Sequence, residues 1–351
     1  MINEAAIKAY LMNKFPGAAG IDISKLGSGV QGTGFNVEIR TKAGSNSYVV
    51  KRLFAGGLGH DYPSDRAAVF LLDLDEYANL PQHVKAVDVL AETADGDIRS
   101  IGGGIEYYLL MEKGEGTDYF TDLALFSAKE RLDALDSRRI RAMAAYLAKI
   151  HSAKKDSRTL YWRKLRDNIG HGECLMGVFD TYPDGVISYA EMAEIEKLCI
   201  DWRARLKPLA HRLCAVHGDF HPGNIWFKED IEFILLDRSR GPWGEPADDV
   251  TALAINYIFF SIKNHGDVRG TYLEGLKLFF DAYIEASGDD EILNVAAPFF
   301  AFRAAVVANP VFYPELTADA RGKIFGFTRN VLLADSFDPR KINAYIPTGC
   351  Q

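Results

Sequence analysis

Three oxygen-bearing side chains set the chemical question. In "VHGDFHPGNIW" (residues 216–226), Asp219 is followed five residues later by Asn224, and the run "FILL" then ends on Asp237. A carboxylate that can take a hydroxyl proton, joined by amide and carboxylate oxygens of the kind Mg²⁺ prefers, is the donor set that phosphoryl transfer requires. Pro222 and Gly223 shape a turn that puts Asp219 and Asn224 at opposite ends of one loop. Two other readings compete. His217, Asp219 and His221 alternate, so on a strand they would share a side and bind a metal. That reading finds no second histidine cluster to complete the ligand set. A plain polar loop would leave Asp237 unexplained, at the mouth of an apolar strand. His171 and Cys174 form an HxxC pair, but no second pair completes a zinc site.

The elements that must position these groups divide in two. From about residue 20 to 112 the chain is rich in glycine and β-formers. "FNVEIRT" and "SYVVKRLF" alternate as strands around a turn at Lys42 to Asn46, and "KAVDVLAE" (85–92) and "IEYYLLME" (105–112) read as two more strands with a turn at Asp95 and Gly96. Residues 64–80 read as a helix opened by Pro63 and Ser64. In "LGSGVQGTGFNVEIR", Gly27, Gly29 and Gly32 match GxGxxG, but a strand follows where a dinucleotide site needs a helix. A glycine hairpin whose backbone can approach phosphates fits better, with either Gly27 to Gly32 or Gly32 to Gly34 at its tip. Lys51 lies on the next strand, as a snorkelling edge residue or as a phosphate-binding lysine held by an acid from the following helix, Asp65 or Asp73.

After residue 112 the pattern turns helical. Residues 137–152 place Ile140, Met143, Leu147 and Ile150 at helical spacing, and Ser188 with Glu191 forms a capping box before 191–206. The expected organisation is a small unit over 1–111, a hinge at 112–117 and a helical unit over 118–351.

Forty-eight acidic against 40 basic residues give a net charge of −8, with the basic residues scattered. That disfavours nucleic acid or an anionic membrane as partner and suits a cationic ligand. The N-terminal residues do not read as a signal peptide, and no apolar run reaches eighteen residues. Cysteines at 174, 199, 214 and 350 lack CxxC spacing and fit a reducing, cytoplasmic setting.

The segment "HGDFHPGNIW…LLD" closely resembles the aminoglycoside phosphotransferase and choline kinase-like family of small-molecule kinases. Supporting pieces run from "GTGFNVEIR" and "VVKRL" through "YYLLMEKGEG" and "LAKIHS" to "EPADDVTAL". The resemblance implies an α+β, two-lobed protein-kinase-like fold, with a β-rich N-lobe carrying one helix and a larger helical C-lobe. It implies ATP or GTP with Mg²⁺ between the lobes and a small-molecule hydroxyl as acceptor. By it, Asp219 is the catalytic base and Asn224 and Asp237 ligate Mg²⁺. Lys51, held by Asp65, and Gly29, Gly32 and Gly34 serve the phosphates, while Glu112 and Gly114 offer hinge backbone to the adenine. His217 braces the loop, and Asp249, or Asp248 in its place, holds it. Tyr161, Trp162 and Tyr257 are candidates to shape the acceptor pocket. Arg238 and Ser239 stand where protein kinases have Phe and Gly, so no switching of that kind is expected. The rival from another class is a non-catalytic nucleotide-binding scaffold, which usually loses one of the three oxygen donors; all three are present here.

Overall fold

The computed structural model describes residues 2–79 and 81–347, so Leu80 and Cys350 lie outside the described residues. The chain separates into two compact units, residues 1–111 and 112–351.

The first unit runs α1 (Glu4–Lys14), β1 (Ala18–Ser28), β2 (Gly32–Thr41), β3 (Gly44–Leu53), α2 (Pro63–Glu76), β4 (Leu90–Glu92) and β5 (Ile98–Ser100). Strands β1, β2 and β3 form an antiparallel meander in that order. Alternation decides its buried face: Val37 and Ile39 of β2 and Ile21 of β1 meet Ile7 and Leu11 of α1. α1 is a second helix beyond the one assigned from sequence. It is capped by Asn3, whose Oδ1 accepts from Ala6 N at 3.2 Å. α2 starts at Pro63 as expected and ends at Glu76, with a short 3₁₀ turn over Tyr77–Asn79.

The second pair of strands differs from the sequence reading. The turn at Asp95 and Gly96 is present, and Gly96 takes φ +86°. β4 keeps only Leu90–Glu92 of the expected 85–92, and its partner is β5, not residues 105–112. The residues nearest the turn close the shortest loop and take the ladder. The apolar run from Ile105 to Met111 forms no strand and is largely exposed.

The second unit runs β6 (Thr117–Asp118), α3 (Tyr119–Phe126), α4 (Ala134–His151), α5 (Arg158–Gly170), α6 (Leu175–Phe179), α7 (Tyr189–Leu206), β7 (Cys214–Ala215), β8 (Ile225–Phe227), β9 (Phe233–Leu235), β10 (Trp243–Gly244), α8 (Pro246–His265), α9 (Gly270–Ser287), α10 (Ile292–Val295), α11 (Ala297–Val307) and α12 (Ala318–Leu333). The capping box expected at Ser188 and Glu191 opens α7. α8 and α11 are buried along most of their length and form the centre of a single large core. Two small sheets frame the segment 216–224: β7 pairs with β10, and β8 sits between β6 and β9. Among the described residues, no helix is long and apolar enough to cross a membrane.

Gly116 leads into β6 with φ +140°, and an added Cβ would lie 2.7 Å from the Phe227 carbonyl oxygen of β8. Gly116→Ala is expected to destabilise the fold by about 2 kcal/mol, through backbone strain and the close carbonyl. A urea midpoint unchanged from wild type would contradict this packing.

Candidate active site

The loop 216–224 leaves the β7/β10 pair and enters β8. Val216 N donates to Pro242 O at 3.1 Å, and Arg238 Nε and Nη2 donate to Val216 O at 3.0 and 2.9 Å. The chain then turns at Gly218, φ +88°, a conformation that favours glycine. This turn aims two consecutive amides inward. Asp249, fully buried in the first turn of α8, accepts both: His217 N to Oδ2 and Gly218 N to Oδ1, each at 2.7 Å. His151 of α4 lies with Nε2 3.2 Å from Asp249 Oδ2 and Nδ1 2.9 Å from the Tyr283 hydroxyl of α9. It is Asp249, then, that meets the loop backbone. Asp248 turns the other way, to Lys164 and to Arg303 Nη2, the latter at 2.6 Å.

Asp219 is 7% exposed, and its Oδ1 accepts from Arg240 Nη1 at 2.6 Å and Arg303 Nη1 at 2.5 Å. Its Oδ2 has no hydrogen-bond partner among the described residues; His221 Nε2 stands 4.0 Å away. Burial pushes the Asp219 carboxyl up, but the Arg303 and Arg240 guanidiniums outweigh it and hold the group below the ordinary carboxylate value. Burial pushes both loop histidines down. Each uses Nδ1 to accept a loop amide, His217 from Asp219 N at 3.2 Å and His221 from Gly223 N at 3.1 Å. The alternation of His217, Asp219 and His221 therefore does not converge on one point. Among the described residues no group of three His, Cys, Asp or Glu side chains is placed to hold a metal ion.

Asn224 Nδ2 donates to Asp219 O at 3.1 Å, which ties the two ends of the loop together. Leu236 N donates to Asn224 O at 3.0 Å, so the residue before Asp237 is bonded directly to Asn224. Asp237 is exposed and sits at φ +53°, a left-handed conformation that a non-glycine residue holds at a cost of about 1–3 kcal/mol. With Nδ2 committed to the loop, Asn224 offers its amide oxygen, and Asp237 offers a carboxylate. An oxygen-only pair of this kind suits Mg²⁺.

The expected residues of the first unit are placed as follows. Gly29 N donates to Gly32 O at 2.9 Å across the β1–β2 turn, so the tip is residues 29–31. An added Cβ at Gly32 would meet Arg52 O at 2.4 Å. Gly34 lies opposite both Gly27 and Lys51. Lys51 is exposed on β3 and forms no ion pair among the described residues. Asp65 accepts from Tyr62 N at 2.7 Å and so caps its own helix. Asp73 acts on the Tyr77 hydroxyl. In the second unit Glu112 is exposed, and Gly114 packs so closely on β9 that a Cβ would lie 2.7 Å from Ile234 Cδ1.

Three aromatic candidates for an acceptor pocket prove to be structural. Tyr161 is fully buried and donates to Glu245 Oε2 at 2.8 Å, Tyr257 is fully buried against the Tyr119 hydroxyl at 3.0 Å, and Trp162 Nε1 donates to Lys207 O at 2.9 Å. The HxxC pair is a turn, with Cys174 N donating to His171 O at 2.9 Å. Arg240, Arg303, Lys164 and His151 were not read as site residues from the sequence. For Arg303 a signal existed: it is the lone charged residue in "APFFAFRAAVV".

Fold and loop together define a kinase-like phosphotransferase. The chain belongs to the phosphotransferase enzyme family, whose model matches residues 22–284. Its enzymatic class is thereby fixed in general terms, as a phosphotransferase. No curated protein matches it. Among solved structures it is similar to an amicoumacin kinase in complex with AMP-PNP, Ca²⁺ and amicoumacin, at 15% identity over 97% of this chain and 100% of that one, TM-score 0.40. Others are the aminoglycoside phosphotransferase APH(4)-Ia, at 14% identity over 94% and 98%, TM-score 0.39, and choline kinase from Cryptosporidium parvum, at 13% identity over 96% and 91%, TM-score 0.34.

Two outcomes follow from this geometry. Asp249→Asn puts an amide where two backbone N–H groups need acceptors, and is expected to cost about 3 kcal/mol. It should also speed hydrogen exchange at the His217 and Gly218 amides; unchanged protection there would contradict the anchoring. Asp248, although buried, is held at about 2 by Lys164 and Arg303, against an ordinary 3.8. A depressed folded value means stability that is complete above pH 4 and lost as pH falls towards 2, worth about 2 kcal/mol. Urea unfolding across pH 2–7 should show that loss, and Asp248→Asn should flatten it.

Proposed function

We propose that this chain transfers the γ-phosphoryl group of ATP to a hydroxyl of a small molecule, with Asp219 as base. One observation carries the reading: both guanidiniums on Asp219 occupy Oδ1, and Oδ2 has no hydrogen-bond partner among the described residues, on a loop whose other end, Asn224, is tied to the Asp219 carbonyl. An ionised carboxylate oxygen, fixed in direction and unbonded, is what an incoming hydroxyl needs. Asp219 Oδ2 accepts the hydroxyl proton as its oxygen forms the bond to the γ-phosphorus and the β–γ bridging oxygen leaves with ADP. Asn224 Oδ1 and the Asp237 carboxylate would hold Mg²⁺, which when bound neutralises phosphate charge. The chain's own part is then positioning: Asp249 fixes the loop backbone, and Arg303 and Arg240 fix the carboxylate. Little covalent work is left to the protein, so orientation supplies most of the rate.

In this reading Lys51 and the backbone at Gly29, Gly32 and Gly34 serve the nucleotide phosphates, and the 112–114 backbone serves the adenine. The setting is cytoplasmic, where ATP is supplied, and the net charge of −8 favours a cationic acceptor over nucleic acid or membrane. The test is a phosphotransfer assay with Mg·ATP against aminoglycosides, choline, homoserine, methylthioribose and simple sugars. Transfer to one acceptor is expected, with Asp219→Asn lowering kcat at least about 100-fold. Full activity in that variant would end the assignment of the base. Nucleotide binding without turnover across the whole panel would favour a scaffold instead.

A further inference from the structure

Arg303 lies 84 residues beyond Asp219 in sequence and is 4% exposed, on a helix whose other residues are all apolar. Burying a guanidinium is costly, and a well-packed apolar side chain would generally serve stability as well or better. Its contacts show what the charge is used for. Nη2 donates to Asp248 Oδ1 at 2.6 Å and to the Gly218 carbonyl at 2.9 Å, while Nη1 donates to Asp219 Oδ1 at 2.5 Å. Asp248 does not depend on it for a cation, because the buried Lys164 pairs with Asp248 Oδ2. The part of the fork that Lys164 cannot replace is the part on the loop. The guanidinium carbon also lies over the Phe302 ring, 4.5 Å from its centroid, within cation–π range.

We propose that Arg303 is a positioning residue for phosphoryl transfer: by binding Gly218 O and Asp219 Oδ1 together it locks the carboxylate rotation that presents Oδ2 to the acceptor hydroxyl. This rests on the function proposed above. A lysine at 303 has one ammonium and no fork, so it reaches the carboxylate or the carbonyl but does not fix the plane between them.

The experiment compares wild type, Arg303→Lys and Arg303→Gln. It uses steady-state transfer from Mg·ATP to water, read as phosphate release, and to any acceptor the wild type phosphorylates. Expected is a fall in kcat of about 100-fold for Arg303→Gln and about tenfold for Arg303→Lys, with KM for ATP and acceptor within about twofold. If Arg303→Gln does not fold, Arg303→Lys, which keeps a cation between Asp248 and Asp219, carries the comparison, and wild-type kcat in it overturns the assignment. Wild-type kcat in the folded glutamine variant overturns the assignment and leaves the proposed function standing, as does a rise in KM alone. Transfer that is absent in wild type, or insensitive to Asp219→Asn, overturns the proposed function and this role with it.

Discussion

The site depends on one buried carboxylate. Asp249 has no contact with solvent, and both its oxygens are used by consecutive loop amides. An unpaired buried amide costs about 1–3 kcal/mol, so the fold cannot easily release either one. The conformation that satisfies them places Gly218 at a positive φ, and the Asp219 side chain that follows bonds Arg303 and Arg240. Asp249 thus shapes the backbone that carries Asp219, while Arg303 and Arg240 hold the carboxylate itself. His151 and Tyr283 extend the same anchor into α4 and α9, which ties the loop to three helices of the core.

A second constraint is electrical. Lys164, Asp248, Arg303, Asp219 and Arg240 form a chain of alternating sign, four of its members buried. Each carboxylate in it touches two cations. Desolvation would drive Asp219 and Asp248 towards their neutral forms, and the cations reverse that for both. The arrangement keeps both carboxylates ionised although they are buried. The pairing is also asymmetric at Asp219, where one oxygen carries both guanidiniums and the other carries neither.

What the sequence disclosed was what is local. The spacing of Asp219, Asn224 and Asp237 is carried within 19 residues, and turn residues and an apolar strand announce it. The capping box at Ser188, the β1–β2 hairpin and the start of α2 were legible for the same reason: short-range rules fix them. The partners of Asp219 were not, because α11 reaches the loop through tertiary packing that periodicity does not encode. The run 105–112 misled in the opposite way. Its apolar residues satisfy a strand pattern, yet ladder formation needs a partner edge, and β5 had taken it. Tyr161, Trp162 and Tyr257 look alike in sequence whether they face a ligand or a backbone carbonyl, and only their hydroxyl and indole partners distinguish the two.

The distance in sequence between the loop and Arg303 has a consequence for synthesis. A ribosome making this chain releases residues 216–224 well before α11 exists, and domains generally fold in the order they emerge. Until the last helices arrive, Gly218 O and Asp219 lack their buried cation, and the core around α8 has no α11 to close it. The hydrogen bonds of Gly218 O and Asp219 are complete only once α11 has docked.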